Sequence, residues 1–342
     1  MRAILASGLL LVSACGTGDT LLVASGFTDE VVVVRASDGE IVDRIAVDPR
    51  AAETDEPHGL ALAPDGRFWY VSVSHGEPTL WKFERPSNRL VGRVRLETFG
   101  AGRIGITPDG QTALVPDYYR DGGAAASHVA VIRLHDLARL RAPIVCPTPH
   151  DAAISPDGRL AAVTCVASDE IVMLETSTGE IANRFPVDSA PGPPGEPRFR
   201  PMNGVWSSTG HRLYVTLHHA NIVRAFDPSG RVLGEVATGH SPAQIALAPD
   251  GAVVVTANRG DGTASVIQVP ELREIRRIHL GVAHPHGVTL GPDGTRAFLT
   301  YEGDAETLGG VLALDLADGS ILWTRGLGSY ATGLIYLPDD RP

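Results

Sequence analysis

Short apolar stretches alternate along this chain with turn signals rich in proline, aspartate and glycine. Seven times an apolar stretch runs into a Pro-Asp-Gly-like turn and out into another apolar stretch. These turns begin at Pro64, Pro108, Pro156, Ser208, Pro249, Pro292 and Pro338, at steps of 44, 48, 52, 41, 43 and 46 residues. A period in the forties with short strands is typical of β-propellers. The pattern predicts an all-β, seven-bladed propeller with four-stranded blades, and an open β-sandwich is the alternative.

One repeat shows how a blade is built. Its apolar stretches predict four strands, at residues 59–63, 68–73, 79–83 and 90–96. Pro64-Asp65-Gly66 closes the first hairpin, because proline presets φ and glycine accepts the positive φ of a tight turn. The stretches at the N-terminus lack an inner strand, and residues 333–337 at the C-terminus have no strand after them. We therefore expect both ends of the chain to share one blade, which closes the ring.

The motif of the repeat resembles a known group. Pro57-His58-Gly59-Leu60, Tyr70-Val71-Ser72 and Tyr214-Val215-Thr216 are similar to the YVTN-repeat β-propeller family of exported bacterial proteins. The resemblance covers essentially the whole mature chain and implies a propeller fold and export. It implies no particular ligand, because the motif consists of turns and strand cores. Blades that depart from it, as at 114–117 and 298–301, are where we expect specificity.

The N-terminus has the pattern of an export signal. Arg2 precedes an apolar run from Ala3 to Leu11, and small residues stand directly before Cys15. This pattern predicts a signal peptide at residues 1–14 with a lipobox, lipidation of Cys15, a tether at 15–20 and the propeller at 21–342. A plain signal peptide or a chance cysteine is the alternative. We expect an exported protein, periplasmic or on the cell surface, held to the membrane by its lipid.

Composition excludes one class of partner. The formal net charge is −11 and the pI is near 5.5. Nucleic-acid binding needs a basic face, so nucleic acid is not expected as a partner. We expect a monomer.

Histidines recur at equivalent positions of the repeat. Six residues before the turn starts stand His58, Gly102, His150, Met202, Ala243, His286 and Thr332. We call these the ring positions. Seven random positions would hold about 0.25 histidine, given 12 in 342 residues. Six more histidines are predicted on the same face, in loops or at second-strand ends: His75, His128, His218, His219, His240 and His284.

This face is the predicted binding site. The candidate ligand-binding residues are His58, Arg103, Asp117, His150, Met202 and His286. Neutral imidazole is a preferred ligand of zinc and copper, so the candidate metal ligands for Zn or Cu are His58, His150, His284 and His286. The ring histidines belong to the first, third and sixth blades. One ion would then need His284 or a second-strand side chain to reach in.

Cys146 and Cys165 are expected to lie close together, near His150. In an oxidising compartment the first interpretation is a disulfide. The alternatives are a thiolate and imidazole site for Cu(I) or Zn, and a pair of free buried cysteines.

Three functions remain open at this point. The leading hypothesis is an anchored binding protein whose histidine-bearing face takes up a metal, a small ligand or a protein partner. The second is a lactonase-like hydrolase or lyase, with His150 or His286 as general base and Arg103 stabilising an anion. It is disfavoured because metal-dependent propeller lactonases are expected to show acidic and amide ligands at the axis. The third is a cell-surface interaction scaffold.

Overall fold

The computed structural model describes residues 18–48, 52–118, 123–304, 307–328 and 330–339. The predicted signal peptide, its lipobox and Cys15 lie outside these residues, so those predictions stay predictions. Within the described ranges, no helix has the length and apolar character needed to cross a membrane.

Seven antiparallel sheets form the blades of a propeller, which confirms the predicted fold. The N-terminal segment supplies β1 (Thr20–Ser25), β2 (Glu30–Arg35) and β3 (Ile41–Ala46). Blade 1 contains β4 (Pro57–Leu62), β5 (Phe68–Val73), β6 (Thr79–Glu84) and β7 (Arg89–Arg95). Blade 2 contains β8 (Gly105–Ile106), β9 (Thr112–Pro116), β10 (Ala126–Arg133), β11 (Ala138–Arg141) and β12 (Ile144–Pro147). Blade 3 contains β13 (Pro149–Ile154), β14 (Leu160–Cys165), β15 (Glu170–Glu175) and β16 (Ile181–Pro186).

The later blades repeat this plan. Blade 4 contains β17 (Pro201–Trp206), β18 (Leu213–Leu217), β19 (Ile222–Phe226) and β20 (Val232–Ala237). Blade 5 contains β21 (Pro242–Leu247), β22 (Val253–Asn258), β23 (Thr263–Gln268) and β24 (Arg273–His279). Blade 6 contains β25 (Pro285–Leu290), β26 (Arg296–Gly303), β27 (Leu308–Asp315) and β28 (Ile321–Gly328). The last strand is β29 (Ala331–Leu337), and a 3-10 turn spans Gly26–Thr28.

Blade 7 is built from both ends of the chain, in the order β29-β1-β2-β3. Leu22 of β1 lies opposite Ile335 of β29 and Val33 of β2. This pairing was expected from the missing inner strand at the N-terminus. It closes the ring of blades, so that loss of a terminal strand would leave blade 7 incomplete.

Burial follows strand position within each blade. Second and third strands such as β14 and β15 are buried along nearly their whole length, whereas the outer strand β16 is mostly exposed. The apolar core therefore lies between neighbouring blades, and the outer strands form the rim of the wheel.

Blade 2 departs from the others. Its inner strand β8 has 2 residues, and an additional strand β12 pairs with the start of β10. A Cβ at Gly105 would collide with the carbonyl oxygen of Ala152 in blade 3. Blade 2 thus packs its inner backbone directly against its neighbour, and β12 carries the chain to His150.

Hydroxyl groups of the second strands join neighbouring blades. Four of them donate to the ring-position carbonyl of the next blade: Ser72 to Gly102 (2.8 Å), Thr164 to Met202 (2.7 Å), Thr216 to Ala243 (2.8 Å) and Thr300 to Thr332 (2.8 Å). The same oxygens accept the N–H of the residue after the ring position in their own blade: Gly59, Asp151, Asn203 and Gly287. We call each such pair of bonds a blade clasp. The clasps fix the ring positions around the central channel.

Candidate functional site at the hub

Irregular backbone turns the ring positions toward the channel. In blades 1, 3, 4, 5 and 6 the pairing of the inner and second strands shifts by one residue at or beside the ring position. Such bulges re-aim side chains. In six blades the residue two positions earlier has a positive φ: Glu56, Thr148, Arg200, Ser241, His284 and Tyr330. Strained non-glycine residues of this kind concentrate at functional sites.

The three ring histidines meet at the hub, although they come from blades 1, 3 and 6. The ring centroid of His58 lies 5.9 Å from that of His286 and 6.1 Å from that of His150. Both pairs are edge to face, with interplanar angles of 84° and 80°. The side chains are only 1–6% exposed. His58 therefore stands between the other two imidazoles in a buried cluster.

His286 is oriented by a carboxylate. Its Nδ1 lies 2.7 Å from Glu302 Oε1, and Arg259 donates to both oxygens of Glu302, over 2.8 and 2.6 Å. Burial alone would raise the pKa of Glu302, but His286 and Arg259 outweigh it and lower this pKa to about 2. Burial lowers the pKa of His286 against the opposing effect of Glu302. The imidazole is thus neutral near pH 7 and donates from Nδ1, because an ionised carboxylate only accepts.

The free nitrogen of His286 faces the hub. Its Nε2 is buried and has no hydrogen-bond partner among the described residues. With Nδ1 carrying the proton, Nε2 holds a lone pair. A buried, oriented and unprotonated imidazole nitrogen is equipped to take a proton or to bind a metal.

His150 has the same tautomer for a different reason. Its Nδ1 lies 3.0 Å from the carbonyl oxygen of Met202, which only accepts. Burial, first of all, holds the pKa of His150 well below its usual value, and nearby His58 adds to this. Tyr118 packs against the ring of His150 with centroids 4.6 Å apart, and its ring lies 6.0 Å from that of His58. The aromatic ring covers one side of the cluster.

A second carboxylate stands behind His58. Glu56 Oε1 lies 3.6 Å from His58 Nδ1, and Glu56 Oε2 lies 2.8 Å from His75 Nε2. Burial would raise the pKa of Glu56, but the two imidazoles lower it to about 2. Glu56 in turn raises the pKa of His75. Neither ring nitrogen of His58 has a hydrogen-bond partner among the described residues.

The residues after the ring positions divide the channel into two arcs. Blades 2 to 5 carry polar side chains there: Arg103, Asp151, Asn203 and Gln244. Blades 6, 7 and 1 carry glycine: Gly287, Gly333 and Gly59. A Cβ at any of these three glycines would collide with the backbone carbonyl of the next ring position. We call the two sets the polar arc and the glycine arc.

Polar side chains of the hub, in the polar arc and at one ring position, are left without partners. Both polar atoms of the Asn203 side chain and Thr332 Oγ1 are buried with no hydrogen-bond partner within the described chain. Arg103 Nη1 lies 3.9 Å from Asp151 Oδ2, which is beyond a hydrogen bond, and the Arg103 side chain is 29% exposed. Asp151 Oδ2 instead accepts the N–H of Gly204 at 3.0 Å. The hub therefore offers unpaired donors and acceptors to a ligand.

Two predicted site residues make bonds within the scaffold. Asp117 is fully buried, and its carboxylate accepts the N–H groups of Phe99 and Gly100 and the hydroxyl of Ser127. Burial raises its pKa. The carboxylate thus anchors a loop, and ligand binding by Asp117 stays a prediction. Met202 contributes through its carbonyl oxygen, which His150 and Thr164 share.

His284 and the cysteines stand apart from the cluster. His284 Nδ1 contacts the carbonyl oxygen of Gly303 at 3.0 Å, and no ring contact of the described residues joins it to the three histidines. Cys146 and Cys165 form a disulfide with Cα atoms 5.9 Å apart. Both sulfurs are thereby occupied, which removes the thiolate metal site near His150. The disulfide holds β12 to β14, beside the start of the inner strand that carries His150.

Metal geometry is not preformed at the hub. Among described residues, the one set of three or more His, Cys, Asp or Glu ligand atoms within 4.8 Å of one another is Cys146, Cys165 and Glu170. The prediction of Zn or Cu at the ring histidines stays a prediction.

Sequence reasoning missed the carboxylates and the arginine behind the imidazoles. Arg259 and Glu302 both stand 10 residues after the start of their turns, at Pro249 and Pro292, so the spacing places them at equivalent positions. The spacing does not show that they contact each other or an imidazole. Signals were present, since Glu302 comes directly after Phe298-Leu299-Thr300-Tyr301, which departs from the repeat, and Glu56 directly precedes Pro57-His58.

Comparison with solved structures places this architecture among known propellers. A protein of unknown function from Desulfotomaculum acetoxidans is 15% identical, with 94% of this chain and 100% of that chain covered, at a TM-score of 0.75. The periplasmic gluconolactonase of Pseudomonas aeruginosa is 20% identical, with 94% and 99% covered, at a TM-score of 0.70. Hydrazine synthase of Kuenenia stuttgartiensis is also 20% identical, with 73% and 80% covered, at a TM-score of 0.62. At these identities the likeness shows the fold alone.

Comparison of the sequence is more informative. No curated protein matches the chain at a significant level. A family model described as "Lactonase, 7-bladed beta-propeller" matches residues 53–321, which spans blades 1 to 5, the first three strands of blade 6 and both carboxylate–imidazole pairs. This chain belongs to the lactonase family of seven-bladed β-propellers.

Proposed function

We propose that this protein hydrolyses a lactone at the hub, with His286 as the general base. The observation that carries the proposal is the chain of contacts Arg259–Glu302–His286, which ends in an unpartnered Nε2. A base held in one tautomer by a carboxylate is a recurring arrangement for activating an oxygen nucleophile. Membership of the lactonase family supports the same class of reaction.

The proposed step uses water as the nucleophile. His286 Nε2 takes a proton from water while the water oxygen bonds to the lactone carbonyl carbon. The ring C–O bond then breaks, and the imidazolium returns the proton to the leaving alkoxide, which gives a hydroxy acid. Glu302 stabilises the transient imidazolium, because its carboxylate remains ionised beside Nδ1. Arg259 keeps that carboxylate in place.

The polar side chains of the hub match a hydroxylated substrate. Asn203 offers a buried amide with two donors and an acceptor, and Thr332 offers a buried hydroxyl on the other side of the channel. Hydroxyl groups of a substrate both donate and accept, so they match this mixture. The guanidinium of Arg103 is too far from Asp151 for a hydrogen bond. It is therefore available to the oxyanion or to an acidic group of the substrate. A lactone of a sugar acid, the class named for the Pseudomonas relative, combines these features.

The test is hydrolysis of δ-gluconolactone, measured as acid release above the spontaneous rate. His286→Gln should lower the enzymatic rate by about 10²–10⁴-fold. The matched control is His211→Gln, since His211 is exposed on the opposite, turn-bearing face. A screen of sugar lactones with no rate above background, or equal rates in both variants, would remove the proposal.

Export and anchoring complete the proposal. We infer that the chain is a lipoprotein of YVTN-repeat type, with signal peptide 1–14, lipid on Cys15, tether 15–20 and a monomeric propeller from residue 21. The pattern before Cys15 supports this. Labelled palmitate should enter the wild type and not Cys15→Ala, and labelling of both would contradict it. A protein partner at the histidine face stays a prediction.

A further inference from the structure

We propose that the hub also binds one divalent transition-metal ion, for which Zn²⁺ is the ion to test. His58 and His286 are the first two ligands and His150 is the third. The inference goes beyond hydrolysis and rests on the arrangement of groups behind each imidazole.

Two of the three imidazoles have an acceptor at Nδ1, and a carboxylate stands near the third. The acceptors are Glu302 at 2.7 Å from His286 and the Met202 carbonyl at 3.0 Å from His150, while Glu56 lies 3.6 Å from His58 Nδ1, beyond a hydrogen bond. Histidines that bind metals nearly always direct their second nitrogen to a carboxylate or a backbone carbonyl, which fixes the tautomer and raises ligand basicity. A general base requires one such pair, whereas this hub has two and a carboxylate near the third imidazole.

The nitrogens on the inner side are available. Nε2 of His58 and Nε2 of His286 are buried and have no hydrogen-bond partner among the described residues. Their rings lie 5.9 Å apart and nearly perpendicular. Unpaired nitrogen lone pairs in a buried site are costly unless something binds them. An ion between the two rings would satisfy both nitrogens at once.

Carboxylates stand behind two of the imidazoles. Glu56 Oε1 lies 3.6 Å from His58 Nδ1, and Glu302 Oε1 lies 2.7 Å from His286 Nδ1. Arg259 donates to both oxygens of Glu302, and His75 contacts the Glu56 oxygen that does not face His58. Three imidazole nitrogens with a remaining open position are the donor set of catalytic zinc sites, and imidazole suits zinc better than magnesium or calcium.

The ligand nitrogens of the three histidines do not yet lie within 4.8 Å of one another, so the ion must draw the rings together. The rings of His58 and His286 contact each other, and Nε2 of each is unpartnered among the described residues, so these two form the primary pair. His150 is held at Nδ1 by the Met202 carbonyl oxygen, and its ring must shift to join them on binding.

The experiment uses the full chain without a histidine tag, stripped with chelator and titrated with Zn²⁺ by calorimetry, with elemental analysis after dialysis. The expected result is one zinc per chain. His58→Ala and His286→Ala should lose stoichiometric binding, and Glu302→Gln should weaken it by about 10–100-fold. His211→Gln should bind as the wild type does. Co²⁺ in place of zinc should give the absorption of a tetrahedral site.

Zinc retained by the His58→Ala/His286→Ala double variant, or no binding by a wild type shown to be folded by circular dichroism, would overturn the proposal. Failure of the zinc proposal can be distinguished from failure of the proposed lactone hydrolysis. Zinc and the proton compete for His286 Nε2, so zinc should inhibit lactone hydrolysis at the concentration at which it binds. Binding without any hydrolysis would refute only the proposed function, and hydrolysis without binding would refute only the metal site.

Discussion

The two faces of the propeller are built from the same repeat and use their polar groups differently. On the turn face, each carboxylate is satisfied within its own turn, as in Asp157, which accepts from Ser155 Oγ at 2.6 Å and from the Arg159 N–H at 3.1 Å. On the histidine face, polar atoms of His58, His286, Asn203 and Thr332 are buried without partners in the described chain. Polar residues of the repeat motif form hydrogen bonds within their own turn. The unpaired polar groups that could bind a ligand belong to residues that differ from blade to blade.

Cavity size alone would point to the other face. A groove of about 700 Å³ lies between blades 2 and 3 on the turn face and is lined by Thr107, Asp109, Asp157 and Arg159. Its polar groups already bond one another, as Thr107 does with Asp109 and Ser155 with Asp157. The hub is the better candidate for a ligand site than this groove, because buried polar groups without hydrogen bonds need an explanation and exposed groups with hydrogen bonds do not.

The largest difference between the faces should appear in activity. Glu302→Gln keeps an acceptor for His286 but removes the charge that stabilises its imidazolium, and we expect lactone hydrolysis to fall by about 10²–10⁴-fold. Asp157→Asn on the turn face should leave the rate unchanged. Steady-state rates of the two variants measure the contrast. Equal losses in both would mean that the faces do not differ in this way.

The disulfide should give the largest effect on stability. Cys146 and Cys165 are separated by 19 residues, and closing a loop of that size stabilises a fold by about 3 kcal/mol. Urea unfolding of Cys146→Ser/Cys165→Ser should show a loss of this order. Because the bond lies beside the strand that carries His150, hydrolysis should decline less than stability does. An unchanged unfolding midpoint would show that packing alone holds β12.

A blade clasp on the histidine side should matter more than a hydroxyl on the turn face. Thr216→Val removes a buried donor to Ala243 and an acceptor for Asn203, at a cost of about 1–3 kcal/mol. Thr178→Val removes an exposed contact with Glu175 and should stay within about 0.5 kcal/mol. Thermal or urea unfolding compares them. Similar values for both would argue against the clasp as a structural device.

The smallest difference should appear in the pH dependence of stability. Burial, above all, lowers the pKa of His218 on the histidine face to about 4, against 6.5 for an ordinary histidine. The unfolded chain then binds the proton first, so this contribution is complete above pH 6.5 and is lost as the pH falls toward 4. On the turn face, Ser229 and Arg231 lower the pKa of Asp227 to about 2 from 3.8. Its contribution to stability is therefore complete above pH 3.8 and is lost as the pH falls from 3.8 toward 2.

His218→Gln should therefore flatten the stability curve between pH 6.5 and 4, whereas Asp227→Asn should not alter that window. Unfolding free energies measured at half-unit steps of pH provide the test. A slope that persists in His218→Gln would assign it to the other buried histidines.

The spacing of the turns predicted much of this molecule, because each turn fixes where its two flanking strands begin and end. The ring positions of His58, His150 and His286 followed from that spacing alone. The spacing did not show that the three ring histidines contact one another at the hub. This contact depends on bulges at the ring positions, which have no signature in an alternating pattern of apolar and polar residues. The partners of the imidazoles were also out of reach, because Glu302 and Arg259 come from different blades and meet only through tertiary packing. The backbone partners of Asp117 were likewise not predictable, because a loop carboxylate has the same sequence signature whether it binds a ligand or its own backbone.

The glycine arc has a consequence for how this protein can acquire new specificities. At Gly59, Gly287 and Gly333 the wall of the hub is main chain pressed against main chain, so no side chain can be added there without moving a blade. Adaptive substitutions are confined to the other half of the circumference, at Arg103, Asp151, Asn203 and Gln244. A combinatorial library at those four codons would therefore vary the polar half of the inner wall while leaving the main-chain contacts of the glycine half intact.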